Sequence, residues 1–461
     1  MRLGLPAGIA LLVLGCTAAP AGADSLSSGR TVTPAGARID DFSLATSPAG
    51  GRSGLLYRAE ADVSGAHKLL FARLGAGRNL GPVRRLEAPR SGGREVTVFD
   101  SRIAVSADGG TVAAWVARGR VAGHDDLRVA IAPRGRGFGS ARTLVRVPSR
   151  LGFVPDVAVD GVVAGSHGRA VILWTTERPS SILLRAAVRT RGGGFGRPQT
   201  LGPLAFGASS APALALAPSG TVVAAGMQRG ADHSSVRAAT LRPGARRFGA
   251  LRRISGDEDA DDVGVFGGPG GAGVSWSDDR RASGALLGLR IARLRRDGTL
   301  APRQTLALVE PGARALEVDG LQLGFPLAGP VAAWQVFRDI SEAGDDARDN
   351  TRIDTAIGRG ANVFHAAQTR TAPAAQVGLP VVGALPRTML LAWPERLGSA
   401  DTWHLRLAAH RSGGDWGPAR TFADSDGAIA IAAGRRSALV LWQPFVPDAA
   451  QRVLRLAVYR P

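Results

Sequence analysis

The amino-acid sequence predicts an all-β chain that folds as a single β-propeller. Two repeats carry this prediction. A tight glycine turn that leads into a strand recurs along the chain, and a Gly-rich hairpin that ends on an aromatic residue recurs between its copies. The complete unit holds four antiparallel strands in about 50 to 60 residues, the size of one propeller blade.

The composition favours short strands over long helices. The 461 residues include 62 Gly and 28 Pro, which implies many turns. Hydrophobic residues make up 45% of the chain but aromatic residues only 5%, so the core must consist largely of Ala, Val and Leu. With a single cysteine no intramolecular disulfide can form, and stability must come from packing.

The hairpin of the first and second strands occurs in eight copies, of which the first is degenerate. An apolar strand and a Gly-rich turn precede a second strand that usually closes on an aromatic side chain. We expect the closing residues to fill the gap between blades, rather than to form a ring of sugar-stacking platforms. They are Tyr57, Trp115, Trp174, Gly226 with Met227 in the odd copy, Trp276, Trp334, Trp393 and Trp442.

The third strand carries a recurrent arginine. We expect it to hydrogen-bond a neighbouring blade or the acidic loop that precedes it, and the alternative is a ligand-binding arginine ring. Along the chain, this position is assigned to Lys68, Arg128, Arg185, Arg237, Arg290, Thr355 as a replacement, Arg406 and Arg455.

The glycine turn and the fourth strand complete the unit, as in GRGFGSARTL at 135–144 and GGGFGRPQTL at 192–201. The fourth strand occurs seven times, because the last copy stops at Pro461 after its third strand. GRTVTP, at 29–34, resembles a fourth strand and precedes the first unit. We expect this N-terminal strand to close the last blade. Eight blades fit the count, and seven would follow if one weak copy were misread.

Residues 1–23 predict an export signal, and residues 24–461 form the propeller domain. Arg2 precedes an apolar run that is too short to span a bilayer. Cleavage after Ala23 would release a secreted protein. Alternatively, the sequence from Val13 to Cys16 is a lipobox, in which Cys16 becomes the lipid attachment site and the only link to a membrane. Both interpretations predict a protein that is secreted or attached to the outer cell envelope.

The formal net charge of +19 favours anionic partners. We expect this charge to be spread evenly over a solvated surface, and the alternative is a surface that binds an anionic envelope polymer. Nucleic-acid binding normally adds aromatic stacking residues or a concentrated basic stripe, and neither is visible in the sequence. The sequence therefore predicts no specific nucleic-acid partner.

Two acidic loops, at 255–262 and 277–284, belong to one unit and form a weak candidate for a Ca²⁺ site. No EF-hand or RTX-type spacing is present, so a solvated loop that pairs with Arg280 and Arg281 is the competing interpretation. No other cofactor is indicated. The candidate metal ligands are Asp257, Asp259, Asp261, Asp278 and Asp279.

The sequence contains no recognisable catalytic constellation. None of the seven His forms an HExxH motif, and no GxSxG motif surrounds a nucleophile. We therefore assign no catalytic residue. We expect any site to lie on the loops between second and third strands and between blades, which include the long polar loop at 339–352.

The chain resembles the secreted β-propeller repeat proteins of GC-rich actinobacteria, a fold-level likeness that covers nearly all of the mature chain. It rests on the apolar strand, the Asp/Gly hairpin, the AVW-like strand, the Arg-Ala strand and the GxFGxxxTL ending.

The likeness extends distantly to sialidase-like and kelch-like propellers. SADGGTVAAW, at 106–115, resembles a sialidase Asp-box but differs in its spacing to Trp115. Sialidases use an arginine triad and a tyrosine nucleophile, whereas Tyr57 and Tyr459 here both fall on strands. The WD40 signature and the kelch double glycine are absent.

These features predict an exported, non-catalytic propeller that serves as a binding or scaffold module at the cell envelope or outside the cell. Its ligand would be a protein or a polysaccharide that the sequence does not identify. The alternative is a carbohydrate-active enzyme of the sialidase, glycosidase or lyase type, with its site on the interblade loop face.

Overall fold

The computed structural model is an all-β propeller of eight four-stranded blades, as the repeat predicts. It describes residues 25–33, 38–60, 67–74, 81–87, 90–91, 94–119, 123–149, 156–178, 181–204, 211–230, 233–256, 259–279, 287–309, 316–327, 329–338, 352–359, 363–364, 368–371, 375–397, 402–444 and 453–461. The signal peptide and Cys16 lie outside these residues and stay predictions. Among the described residues, no helix is long and apolar enough to cross a membrane.

Each blade is an antiparallel sheet whose strands are numbered first to fourth along the sheet, starting with the strand nearest the axis. Blade 1 comprises Ile39–Thr46, Ser53–Glu60, His67–Leu74 and Arg84–Glu87. Blade 2 comprises Arg94–Val105, Thr111–Gly119, His124–Ala132 and Arg142–Pro148. Blade 3 comprises Val157–Ala164, Ala170–Arg178, Ser181–Arg189 and Gln199–Leu204. Blade 4 comprises Ala213–Leu216, Val222–Arg229, Ser234–Leu241 and Arg252–Arg253.

The second half of the chain repeats this order. Blade 5 comprises Asp259–Gly268, Gly271–Asp279, Leu287–Arg293 and Gln304–Val309. Blade 6 comprises Leu316–Gly324, Val331–Arg338, Arg352–Arg359 and the two short strands Val363–Phe364 and Gln368–Thr369. Blade 7 comprises the first strand, split into Ala375–Val377 and Val381–Ala384, then Thr388–Leu397, Trp403–Arg411 and Arg420–Ser425. Blade 8 comprises Ile429–Ala433, Ala438–Trp442 and Arg455–Arg460 with the N-terminal strands Ser25–Leu26 and Arg30–Thr31.

Two short elements depart from the repeat. Arg90–Ser91 adds a fifth strand to blade 2, and Ser166–Gly168 forms a 3₁₀ turn in the first hairpin of blade 3. The interruption of the first strand in blade 7 falls at Pro380, whose nitrogen has no hydrogen to donate to a sheet.

The ring is closed by both ends of the chain, as predicted. Arg30 and Thr31 pair with Leu456 and Arg455, within the sequence GRTVTP that predicts the closing strand. Ser25–Leu26, which the repeat does not predict, continues the same edge by pairing with Arg460 and Tyr459. The first strand of each blade also contacts the first strand of the next, and blade 8 contacts blade 1. Closure leaves the last blade with no unpaired third strand.

The closing aromatics of the second strands pack between blades. Trp115, Trp174, Trp276, Trp334 and Trp393 are 0% exposed. Each lies in a cluster that includes side chains of the preceding blade; Trp174, for example, shares its cluster with residues of blade 2. The prediction of core packing is confirmed, and no described Trp of this series is available to a ligand.

The glycine turn between third and fourth strands serves the same interface. Its glycine has a positive φ, between 69° and 83° in blades 2, 3, 4, 5 and 7, which a side chain would strain. The aromatic that follows packs on the preceding blade: the Phe138 ring meets Phe71 edge-on at 4.7 Å between ring centroids. Gln199 of blade 3 accepts from the backbone nitrogen of Phe248 in blade 4 at 2.9 Å. The repeated motif therefore connects neighbouring blades by ring packing and by a hydrogen bond.

The recurrent arginine of the third strand lies directly opposite the buried Trp of the second strand, as Arg128 lies opposite Trp115. Its expected partners are confirmed in two blades. Arg128 donates to Glu87 of the neighbouring blade at 2.8 Å, and Arg290 donates to Asp278, from the acidic loop before it, at 2.8 Å.

Two assignments in this series are wrong by one or two residues. In blade 6 the residue opposite Trp334 is Asp354, not Thr355, because Thr355 pairs with Ala333. In blade 1 the residue opposite Tyr57 is Leu70, whereas Lys68 pairs with Ala59. The error arises because the loops before these third strands differ in length, so counting residues from a loop does not give the pairing register.

Candidate functional site

The antiparallel order of a blade divides its loops between two faces. Turns between first and second strands and between third and fourth strands emerge at one end, which we call the hairpin face. Loops between second and third strands and between blades emerge at the other end, which we call the loop face. The sequence points to the loop face, but much of it, including the loop at 339–351, lies outside the described residues.

Among the described residues, arginine is frequent in the turns of the hairpin face. Among the described turns of this face, the carboxylates are Asp108, Asp297 and Asp415. Apart from the half-buried Arg169, the turn arginines are exposed. They are Arg52, Arg134, Arg136, Arg169, Arg191, Arg197, Arg242, Arg246, Arg247, Arg295, Arg296, Arg303, Arg387, Arg435 and Arg436.

Several described arginines towards the loop face are neutralised by carboxylates. Arg118 contacts Asp125 at 2.6 Å, Arg146 contacts Asp126 at 2.7 Å, and Arg58 contacts Asp40 at 3.2 Å. Arg178 and Arg229 also lie at loop-face strand ends, and both are exposed with no ion pair to a described residue. An even spread of charge over the whole surface stays a prediction. Antiparallel pairing nevertheless collects the arginine-rich turns of successive blades at the hairpin face.

A cleft opens on the hairpin face between blades 3 and 4, with a volume of about 500 Å³. Its floor includes the apolar residues Val163, Leu216 and Pro243. Its polar lining consists of Ser166, His167, Arg169, Thr190, Arg191, Ser219 and Arg246. A smaller cleft of about 170 Å³ between blades 2 and 3 shares His167 and Arg169 with it. The two clefts meet at these residues, so their combined lining spans blades 2, 3 and 4.

Arg169 holds the wall of the larger cleft in place. Its guanidinium donates to the carbonyl oxygens of Gly220 at 2.9 Å and of Arg242 at 2.7 Å, both in blade 4. Burial lowers the pKa of Arg169, although the group stays charged at any physiological pH. Arg191 and Arg246 lie exposed on the same cleft, and neither has a hydrogen bond or ion pair with any described residue.

A second polar group lies near the axis, where the first strands of blades 1, 2 and 3 are bulged. The bulges contain Asp40, Asp100 with Ser101, and Asp160. Asp100 adopts a φ of 40°, and Ser101 Oγ lies 3.1 Å from Asp41 Oδ2 of blade 1. Because the first strands of neighbouring blades touch, the charge of Asp100 acts on Asp160 of blade 3, and that of Asp41 in blade 1 acts on Asp100. Asp40 instead contacts Arg58 and His67.

Two of these carboxyls are held towards their neutral form. Burial, then the negative charge of Asp100, raises the pKa of Asp160 well above its usual range. Burial also raises the pKa of Asp100, against the opposing charge of Arg102. The Oδ2 atom of Asp160 is buried and has no hydrogen-bond partner among the described residues. A carboxyl with a raised pKa in a buried position is a feature that general acids share.

We expect the change Asp160→Asn to stabilise the protein at pH 7. A carboxyl pKa raised by one unit costs the folded state about 1.4 kcal/mol at neutral pH, and an amide avoids this cost. The gain should shrink as the pH falls and vanish below about pH 4, where both folded and unfolded states bind the proton. Urea unfolding at pH 7 and pH 3.5 measures both values.

Asp108→Asn is the matched control with the opposite sign. Although burial alone would raise the pKa of Asp108, hydrogen bonds from Ser106 and Gly110 lower it below its usual value. Asp108→Asn should therefore lose stability at pH 7. Equal effects of the two changes at pH 7 would contradict the assignment of Asp160. The same contacts show that the SADGG sequence stabilises its own hairpin, since Ser106 Oγ donates to Asp108 Oδ1 and Gly110 N donates to the same oxygen at 3.3 Å.

The candidate Ca²⁺ ligands are only partly described. Asp278 is fully buried and pairs with Arg290 Nε at 2.8 Å. Asp257 and the side chains of Asp259, Asp261 and Asp279 lie outside the described set, so the Ca²⁺ site stays a prediction. Within the described part of the chain, no three His, Cys, Asp or Glu side chains are grouped so as to hold a metal ion.

The functional candidates that sequence reasoning missed are the turn arginines of the hairpin face. A detectable pattern existed: APRGRG, RTRGGG, LRPGARR and LRRDG each place arginine beside the glycine of the third-to-fourth turn. The aspartates near the axis had a weaker pattern, since an Asp precedes a small or polar residue in IDDF, FDSR and VDGV.

Comparison with known proteins finds solved structures of low similarity and identifies no family. No protein-family model and no curated protein matches the sequence. The WD40 domain of SCAP from fission yeast is 10% identical with a TM-score of 0.46, over 95% of this chain and 98% of that chain. A Penicillium chrysogenum α-L-arabinanase complexed with arabinobiose is 10% identical with a TM-score of 0.42, over 95% and 98%.

The β-propeller domain of the trilobed protease from Pyrococcus furiosus is 7% identical with a TM-score of 0.44, over 84% of this chain and 96% of that chain. At these identities the similarity concerns the propeller architecture alone. The chain is a β-propeller by its own sheet topology, with eight blades in a closed ring.

Proposed function

We propose that this protein is an exported, non-catalytic β-propeller that binds an acidic polymer of the cell envelope through its hairpin face. The observation that carries the proposal is the number of exposed arginines in the turns of the hairpin face, where the described turns hold only three carboxylates. Towards the loop face, several described arginines are paired with carboxylates.

Electrostatics favours an extended anionic partner over a single small ion. The electrostatic interaction between exposed charges is screened beyond about 8 Å at physiological salt. A single small anion is therefore attracted only by the arginines nearest to it. A flexible polymer with regularly spaced negative groups can contact turns from several blades at once, and its local contacts add up. Guanidinium groups also bind carboxylates, sulfates and phosphates in a bidentate manner.

The test is the salt dependence of binding. Purified residues 24–461 should bind heparin, polygalacturonate or poly-glutamate at 50 mM NaCl, and the affinity should fall about tenfold or more by 500 mM NaCl because the screening length shortens. Neutral dextran is the control and should not bind. Surface plasmon resonance measures all four. Binding that persists in molar salt, or none at 50 mM, would refute the proposal.

The second candidate, a carbohydrate-active enzyme, has one observation in its favour. Asp100 and Asp160 form a pair of carboxyls with raised pKa near the axis, beside Arg102, and such pairs can supply a general acid. Release of reducing ends or unsaturated sugars from a polysaccharide panel, abolished by Asp160→Asn in a folded variant, would replace the binding proposal by this one.

A further inference from the structure

We propose that the cleft between blades 3 and 4 is a subsite for one acidic sugar unit of the bound polymer. The inference rests on the proposed function and makes it specific. It commits to a saccharide that carries a carboxylate, sulfate or phosphate group, and to Arg191 and Arg246 as the residues that hold this group.

The cleft has the size and lining that such a unit requires. A volume of about 500 Å³ lies in the usual range of sites for small ligands, about 300 to 1,000 Å³. The apolar floor of Val163, Leu216 and Pro243 suits the C–H face of a pyranose ring. The hydroxyls of Ser166 and Thr190 can donate to and accept from those of the sugar, whereas Ser219 Oγ donates to Thr221 Oγ1 at 3.1 Å and can only accept.

The charges define the acidic end of the ligand. Arg191 comes from the third-to-fourth turn of blade 3 and Arg246 from that of blade 4, so they approach the cleft from two blades. Both are exposed, and neither is neutralised by a described carboxylate. Arg169, in contrast, donates hydrogen bonds to the carbonyl oxygens of Gly220 and Arg242 and so supports the wall of the cleft.

The turns around the cleft are rigid enough to keep this arrangement. Gly220 N donates to Ala217 O at 2.9 Å, Ala245 N donates to Arg242 O at 3.1 Å, and Gly165 N donates to Arg169 O at 2.9 Å. These bonds fix the backbone on both sides before any ligand arrives, which lowers the entropy lost on binding. Side chains of Arg191 and Arg246 are the parts that must become ordered.

The decisive experiment compares two double variants with equal charge loss. Arg191→Gln/Arg246→Gln removes the clamp, and Arg435→Gln/Arg436→Gln removes two exposed arginines from the same face in blade 8, on the far side of the ring. At 150 mM NaCl, affinity for the best polymer of the panel should fall at least tenfold in the first variant and less than threefold in the second. All four side chains are exposed, so circular dichroism should show both variants folded.

Equal losses in the two variants would overturn the subsite while leaving the polymer-binding proposal intact. Failure of the unaltered protein to bind any polyanion at 50 mM NaCl would overturn both. Competition then identifies the acidic group: tetragalacturonate for a carboxylate, a heparin-derived tetrasaccharide for a sulfate, inorganic phosphate for a phosphate. If no competitor reduces polymer binding by the unaltered protein at millimolar concentration, the cleft does not bind a single acidic sugar unit and the inference fails.

Discussion

Replacement of Trp174 by alanine should lower the free energy of unfolding by about 3 to 5 kcal/mol, the range found when a large aromatic is removed from a packed interior. The side chain is 0% exposed and lies between blades 2 and 3. Its neighbours belong to sheets with fixed strand pairing, so they cannot move inward to refill the space. A cavity should therefore remain at the interface.

Urea unfolding followed by circular dichroism measures this loss. Trp403→Ala provides the matched control, because Trp403 is only half-buried and packs its ring against Arg396, at 5.2 Å from the guanidinium carbon to the ring centroid. We expect the control to lose about 1 kcal/mol or less. If both variants lost the same amount, the interblade Trp would not be the main stabilising contact of its interface.

The change Gly29→Val should open the ring at its closure. A β-carbon at residue 29 would lie 2.1 Å from Cη2 and 2.6 Å from Cζ2 of Trp442, whose ring is fully buried. Overpacking of this kind costs about 1 to 3 kcal/mol, and here we expect the upper end because the strand can escape only by leaving its partner. Residues 455–460 would then lose the strands that pair with them.

Hydrogen exchange separates local opening from simple crowding. Backbone amides in 455–460 should exchange faster in Gly29→Val than in the unaltered protein, while those of blade 3 should not. Gly194→Val is the control, since a β-carbon there meets nothing within 4 Å, and it should leave both stability and exchange unchanged. Unaltered exchange at 455–460 in Gly29→Val would mean that Trp442 moves aside and the closure holds.

The repeat made the fold predictable for a specific reason. Each blade must place an apolar strand by the axis, a bulky residue at the interface and a left-handed glycine in its outer turn, so the same physical demands appear eight times in the sequence. Even the closing strand at residues 29–34 was recognisable, because it must satisfy the same pairing as the other fourth strands. In two weak copies, the third-strand residue opposite the closing aromatic was assigned wrongly, to Thr355 and Lys68.

The candidate site was much less predictable. Sequence reasoning directed attention to the acidic loops and the loop face, since acidic clusters and long polar loops stand out in a linear chain. Arg191 and Arg246 looked like ordinary turn residues, and their common cleft depends on how blade 3 meets blade 4. Nothing in the spacing of Asp100 and Asp160 along the chain shows that they meet near the axis.

The propeller, the interblade tryptophans and the closure follow from the amino-acid sequence, which left the number of blades at eight or seven, because each depends on a local pattern that is repeated or displaced along the chain. Only the folded ring shows that there are eight blades, and which turns meet in a shared cleft. The physical reason is that antiparallel pairing sends alternate turns to opposite ends of a sheet, and ring packing then brings together turns that lie 50 residues or more apart, such as those of Arg191 and Arg246.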